Sequence, residues 1–482
     1  MDSRRAAAWQ VVLLAACLAL VLGLGACGGG GEDGGRPEGT TTPSAASPSA
    51  GTPSSGTPSG KTVEISLWHS ESASNLDTIQ GLARRFNASQ SEVKVKLAFQ
   101  GTSDENMAKV LASLQGGDLP TIAYLDEVQA QRLIDSGGFR PVQDFIDRES
   151  YDLSDFDPKT IRFYSVDGRL QAMPISISVP MLFYNKAAFR EVGLDPENPP
   201  KDLEELKEVS RKFVKRDSHG NLTRTGMALE ISAWYLEVAL AEHGDLYVNN
   251  GNGHDGRATE VLFNGPTGQA FFQWWHDMVE EGLAIDVGLA LNSPDAFLAV
   301  GAGQAVMTRS STAVLRSVVD ALEGGLVQTE VEAGLAALAG VPGGTGHTAV
   351  YTRGLWIPKD VSEAEQEAGW KFIKWLMEPE QQAEWFAGTG YLPVRNSSYD
   401  LPAAREIMTK YPEFSTGVEV FRSSAVTPAT LGPMLGPLQE VRQAVLRQLQ
   451  ETIVNGKDPI EAINDAADEA NQAIEDYNER VQ

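Results

Sequence analysis

From Val63 onward, apolar residues fall into regular patterns. Val63, Ile65 and Leu67 alternate with Glu64 and Ser66, the period of two that predicts a half-buried strand. Leu76, Ile79, Ala83 and Phe86 then recur at helical spacing. Val93, Val95, Leu97 and Phe99 alternate again, Met107, Val110, Leu111 and Leu114 return to the helical period, and Thr121 to Leu125 is a short apolar run. The order βαβαβ predicts a largely parallel sheet covered by helices. A second set begins near Met181 to Tyr184. Its first helix is marked by Pro199, Pro200, an N-cap Asp202 and Glu205 three residues on, with Leu203, Leu206, Val209 and Phe213 as the buried stripe. Further helices are predicted around Phe271 to Met278, Trp370 to Met377 and Leu438 to Leu449.

At 482 residues the chain is longer than one hydrophobic core usually supports, so two lobes are expected. The net charge of -26 changes the picture more sharply. A nucleic-acid or anionic-membrane surface needs a basic face, and this composition argues against either. The first residues read as an export signal: Arg4 and Arg5, an apolar run from Ala6 to Leu22, then Leu24-Gly25-Ala26-Cys27. That tetrad resembles a bacterial lipobox, which implies a signal peptide over 1–27 and lipidation of Cys27. Residues 28–60 are almost entirely Gly, Ser, Thr, Pro and Ala, a composition that predicts a flexible tether. The expected location is therefore outside the cytoplasm, on the outer face of the cell membrane and held there by the lipid anchor alone. With Cys17 in the signal and Cys27 at the anchor, the body carries no cysteine for disulfides or metal ligation.

Catalytic patterns are missing. There is no G-x-S-x-G elbow, phosphate loop or H-E-x-x-H helix, and Gly456-Lys457 lacks the other residues a phosphate loop requires. The six histidines show no pair at metal-ligand spacing, so neither a metal nor a cofactor is expected. Asn249 to Glu260 resembles a calcium loop only in composition, because Gly251, Gly253 and His254 stand where oxygen ligands and the turn glycine belong. Asp126 and Glu127 are adjacent carboxylates, and neighbours on a strand point to opposite faces. That arrangement suits a sugar or polyol site better than the facing pair of a glycosidase.

Several stretches, in order, resemble the family 1 extracellular solute-binding proteins of ABC importers. They are Leu67-Trp68-His69-Ser70, Leu82 to Ala88, Phe183-Tyr184-Asn185-Lys186, Gly193 to Pro200 and Thr389-Gly390-Tyr391-Leu392-Pro393. The resemblance covers nearly the whole chain after Gly60 and lies nearest the glycerol-3-phosphate-binding branch. It implies an α/β, two-lobed periplasmic-binding-protein fold of type II-like form, with hinge strands crossing between lobes and ligand in the cleft. The lobes are expected at 61–175 with 305–355, and at 176–304 with 356–482. The implied partners are a small solute and ABC permease subunits, the implied state a monomer, and no catalysis is expected.

The resemblance places ligand contacts at Glu127, Ser178, Ser311, Tyr391 and Arg442, and a backbone approach to phosphate near Thr352. A carboxylate accepts from glycerol hydroxyls, and a guanidinium with Tyr and Ser hydroxyls suits phosphate oxygens. The family's early Tyr is replaced by Ser103 beside Asp104, and a stacking Trp of the Pro-Pro-Lys loop by Leu203. Asp104 suits sugar hydroxyls, and Trp234 and Trp356 are candidate stacking faces. The expected ligand is glycerol-3-phosphate or a glycerophosphodiester. The alternative is a neutral mono- or oligosaccharide, and a surface-attached glycoside hydrolase is a remote third.

Overall fold

The computed structural model describes residues 62–288, 294–325, 331–349 and 351–481. Cys27, the signal segment 1–27 and the tether 28–60 lie outside them. The alternating segments pair as expected. Val63–His69 lies parallel to Val93–Phe99 and to Ile122–Asp126. Tyr351–Pro358 then adds antiparallel to Ile122–Asp126 and carries Met173–Ser178 and Phe139–Arg140. The sheet is therefore mixed, not wholly parallel. A second sheet runs in the order Ala284–Asp286, Met227–Leu229, Met307–Ser311, Pro180–Asn185, Ala333–Ala337.

Each sheet has its own core. Helices Ala73–Ser89, Glu363–Leu376 and Pro379–Thr389 bury Phe86, Trp370, Trp385 and Phe386 against the first. Around the second, helices Leu203–Phe213, Trp234–His243, Pro266–Glu280, Leu438–Asn455 and Pro459–Arg480 bury Leu206, Tyr235, Trp275, Val445 and Ile474. The Asp202 cap is present, its side chain accepting from the Glu205 amide at 2.9 Å. Among the described residues, no helix is long and apolar enough to cross a membrane.

The expected lobe limits differ from this division. Met307–Ser311 and Ala333–Ala337 hydrogen-bond to Pro180–Asn185 in the second sheet, whereas Leu315–Glu323 and the helices from 363 to 423 pack on the first core. Strand partners are chosen by long-range pairing that local periodicity does not encode. The chain passes from one sheet to the other at Val179, between Met173–Ser178 and Pro180–Asn185. Leu315–Glu323 packs back on the first core between two strands of the second sheet, Tyr351–Pro358 rejoins the first sheet, and the chain crosses again ahead of Leu438–Asn455.

Candidate functional site

Parallel strands of the first sheet deliver their following residues to one edge, where α/β sheets place ligand sites. After Val63–His69 come Ser70 and Glu71, and Glu127 follows Ile122–Asp126. The antiparallel neighbour places Arg353 directly across from Asp126. Opposite charges face each other on the pleat. The Arg353 guanidinium meets Asp126 at 2.5 Å and also pairs with buried Glu71. The rings of Tyr124 and Tyr391 lie 5.6 Å and 5.5 Å from it. Ser103 donates its hydroxyl to Asp126.

A second cluster joins the lobes. Arg442, one turn into Leu438–Asn455, donates to both oxygens of Glu237 at 2.6 Å and 2.7 Å. Glu237 lies in the first turn of Trp234–His243, with its side chain only 1% exposed. Glu127, from the first lobe, approaches the same guanidinium at 3.8 Å with 14% of its side chain exposed. Burial pushes the Glu127 carboxyl up to about 7, and Arg442 opposes that rise. Neighbouring carboxylates and Tyr351 hold Arg442 firmly protonated despite burial.

The structure thus brings Glu127 and Arg442 together, with Tyr391 beside Arg353. Ser178 is half-buried, opposite Tyr351 in the register. The Ser311 hydroxyl accepts from the Ala313 amide at 3.3 Å and caps a short turn. Thr352 donates its hydroxyl to the Ser176 carbonyl at 2.8 Å, so that side chain serves the sheet. Asp104 stands exposed in the first turn of Ser103–Gly116, and Asp126 is the carboxylate beside Arg353 instead. Trp234 packs edge-on to Tyr351 at 4.9 Å, 6% exposed. Trp356 offers no stacking face: it is enclosed in the first core by Phe139 and Tyr164. Leu203 is likewise buried, in the second core rather than at a ligand site.

Glu71, Arg353, Asp126 and Glu237 were not anticipated as partners. For Glu237 a signal existed. Trp-Tyr-Leu-Glu-Val-Ala-Leu-Ala-Glu is nearly all apolar, so its carboxylates have no solvent face to occupy and must find partners inside. Arg353 in Tyr-Thr-Arg-Gly-Leu-Trp-Ile-Pro carries the same message for a strand.

The sequence profile described as bacterial extracellular solute-binding protein matches residues 81–416. The chain belongs to this family. The sn-glycerol-3-phosphate-binding periplasmic protein of Escherichia coli (strain K12) is 27% identical over 419 residues, covering 85% of this chain and 92% of that protein. Its counterpart in Shigella flexneri serotype 5b (strain 8401) is 28% identical with the same coverage. Among solved structures, the Mycobacterium tuberculosis protein in complex with glycerophosphocholine superposes with a TM-score of 0.72 at 21% identity, over 87% of this chain and all of that one. The cyclic alpha-maltosyl-1,6-maltose binding protein of Arthrobacter globiformis gives 0.69 at 23% identity, over 86% of this chain. These solute-binding proteins share the two-lobed architecture.

Proposed function

We propose that this protein captures an uncharged, polyhydroxylated solute, a mono- or oligosaccharide, by closing its lobes, and delivers it unchanged to an ABC permease. Lipidation at Cys27 and a tether through residue 60 belong to the same reading, and so does a monomeric state. The observation that carries the ligand class is the neutralisation of Arg442 and Arg353 by carboxylates, of which Glu237 and Glu71 are buried. Arg442 spends its fork on Glu237, and Arg353 is shared between Glu71 and Asp126. Even with Glu127 left out because burial favours its protonated form, three carboxylates, Glu71, Asp126 and Glu237, face two guanidiniums. A phosphate dianion entering there meets an excess of like charge in a poorly screened site. Vicinal hydroxyls instead find carboxylate acceptors and guanidinium donors side by side.

A glycerophosphodiester is the second reading, favoured by the Glu127–Arg442 pair and by the glycerol-3-phosphate-binding relatives. A thermal-shift screen of monosaccharides, disaccharides, glycerol-3-phosphate and glycerophosphocholine tests both. A ligand at a hundred times its Kd adds about 2.7 kcal/mol, a shift easily measured. Stabilisation by sugars alone supports the proposal. Stabilisation by phosphate esters alone overturns it.

A further inference from the structure

A cavity of about 730 Å3 opens beside the charged cleft floor, and its lining is of two chemical kinds. Its polar lining includes Glu71, Arg353 and Tyr391, together with Asn75, Thr308 and Ser317. Arg353 and Tyr391 also belong to the cleft, so the two spaces are continuous. Most of the lining is apolar, and Phe183, Phe297, Leu298, Val314, Val318 and Leu322 form the body of the wall. Phe183 and Phe297 meet edge-to-face at 5.1 Å. Leu298, at 57% exposure, presents a large apolar side chain to solvent at this wall.

A bare sugar ring fits this body poorly. Each of its hydroxyls turned toward Phe, Leu or Val loses water and gains no partner. An alkyl or aryl group meets the same walls favourably, because apolar area leaves water on both sides. The polar lining prescribes the orientation: hydroxyls at Arg353 and Glu71, the apolar group away from them.

We infer that this chamber receives the apolar substituent of the ligand, so that the solute is an alkyl or aryl glycoside rather than an unsubstituted oligosaccharide. The inference rests on the saccharide reading of the cleft, and its test separates the two. The neutral fluorophore N-phenyl-1-naphthylamine is titrated into the full chain, then displaced by methyl, butyl and hexyl glucosides below their micellar concentrations. Saturable probe binding is expected, with competition tightening by about fourfold for each added methylene. Ala321→Trp, which fills the chamber from the helix Leu315–Glu323, should weaken probe and hexyl glucoside at least tenfold. Phe297→Ala, in the helix Pro294–Gly301, should weaken them too. Probe binding with chain-length dependence, but no binding of methyl glucoside or any disaccharide, upholds the chamber and removes the saccharide reading. Sugar binding with no chain-length dependence and no effect of Ala321→Trp overturns the chamber and leaves that reading standing.

Discussion

Two arginines of the second lobe, Arg442 partly buried and Arg309 fully buried, are treated in opposite ways. Arg442 faces the cleft and is held by Glu237 at 2.6 Å and 2.7 Å, with Glu127 at 3.8 Å. Arg309, in the strand Met307–Ser311, has three guanidinium nitrogens that donate to no acceptor among the described residues. It lies instead among ring faces, with Tyr235 at 4.4 Å, Phe271 at 5.5 Å and Trp274 at 5.6 Å. Tyr235 anchors the strand by donating its hydroxyl to the Arg309 carbonyl at 2.7 Å. Burial lowers the Arg309 pKa, whereas carboxylates raise that of Arg442. The contrast separates two ways of keeping a charge inside. Quadrupole faces tolerate a cation at modest gain. Carboxylates bind it tightly and then depend on it.

That dependence is the easiest part to break. Arg442→Met leaves Glu237 buried without its cation, a loss of about 3 to 5 kcal/mol by the precedent of severed buried pairs. Guanidinium chloride unfolding should register it as a lower midpoint. Glu237→Met combined with Arg442→Met should recover most of the loss, because no buried charge then stands alone.

The next effect falls on ligand affinity. Glu127→Gln keeps shape but removes charge-assisted acceptance, and calorimetry should show binding weakened by about 1.5 to 3 kcal/mol. Unchanged affinity places Glu127 outside the ligand's reach.

Titration sharpens the comparison further. Burial pushes Glu127 up to about 7 and Glu242, near Arg309, up to about 8. Both stand above the ordinary carboxyl value of about 4.3 that the unfolded chain retains. Between those limits the folded state holds protons that the unfolded state has released, so stability falls as pH rises from 5 toward 8. Glu242→Gln should flatten the upper part of that slope, by on the order of 2 kcal/mol across the window. A slope of the opposite sign would contradict the burial argument.

The smallest effect belongs to Arg309. Replacing it with Met removes a desolvated charge and a set of ring contacts together, and these offset one another. Stability is expected to move by no more than about 1 kcal/mol in either direction, against the several lost at Arg442.

These charges mark where the sequence stops being legible. Strands such as Val63–His69 and helices such as Glu363–Leu376 follow from periodicity, because each buries one face and local order records which. The sheet to which Met307–Ser311 belongs does not follow, since its alternation fits either lobe and the choice is made by pairing with Pro180–Asn185. Trp234 and Trp356 look alike as candidate stacking faces, yet the first borders Tyr351 near the arginine cluster and the second closes a core. Resemblance brought Glu127 and Arg442 to attention. The apolar helix around Glu237 shows that its carboxylate needs an inner partner, but that the partner is Arg442 emerges only once two helices distant in sequence are packed together.

If the cleft's positive charge is consumed internally, isothermal titration of wild type and Glu237→Gln with sn-glycerol-3-phosphate and a disaccharide panel reveals it. The expected results are sugar binding by the wild type, no measurable glycerol-3-phosphate binding, and phosphate affinity that appears or rises at least tenfold once Arg442 is released from Glu237. Tight glycerol-3-phosphate binding by the wild type, unimproved in Glu237→Gln, would contradict internal neutralisation.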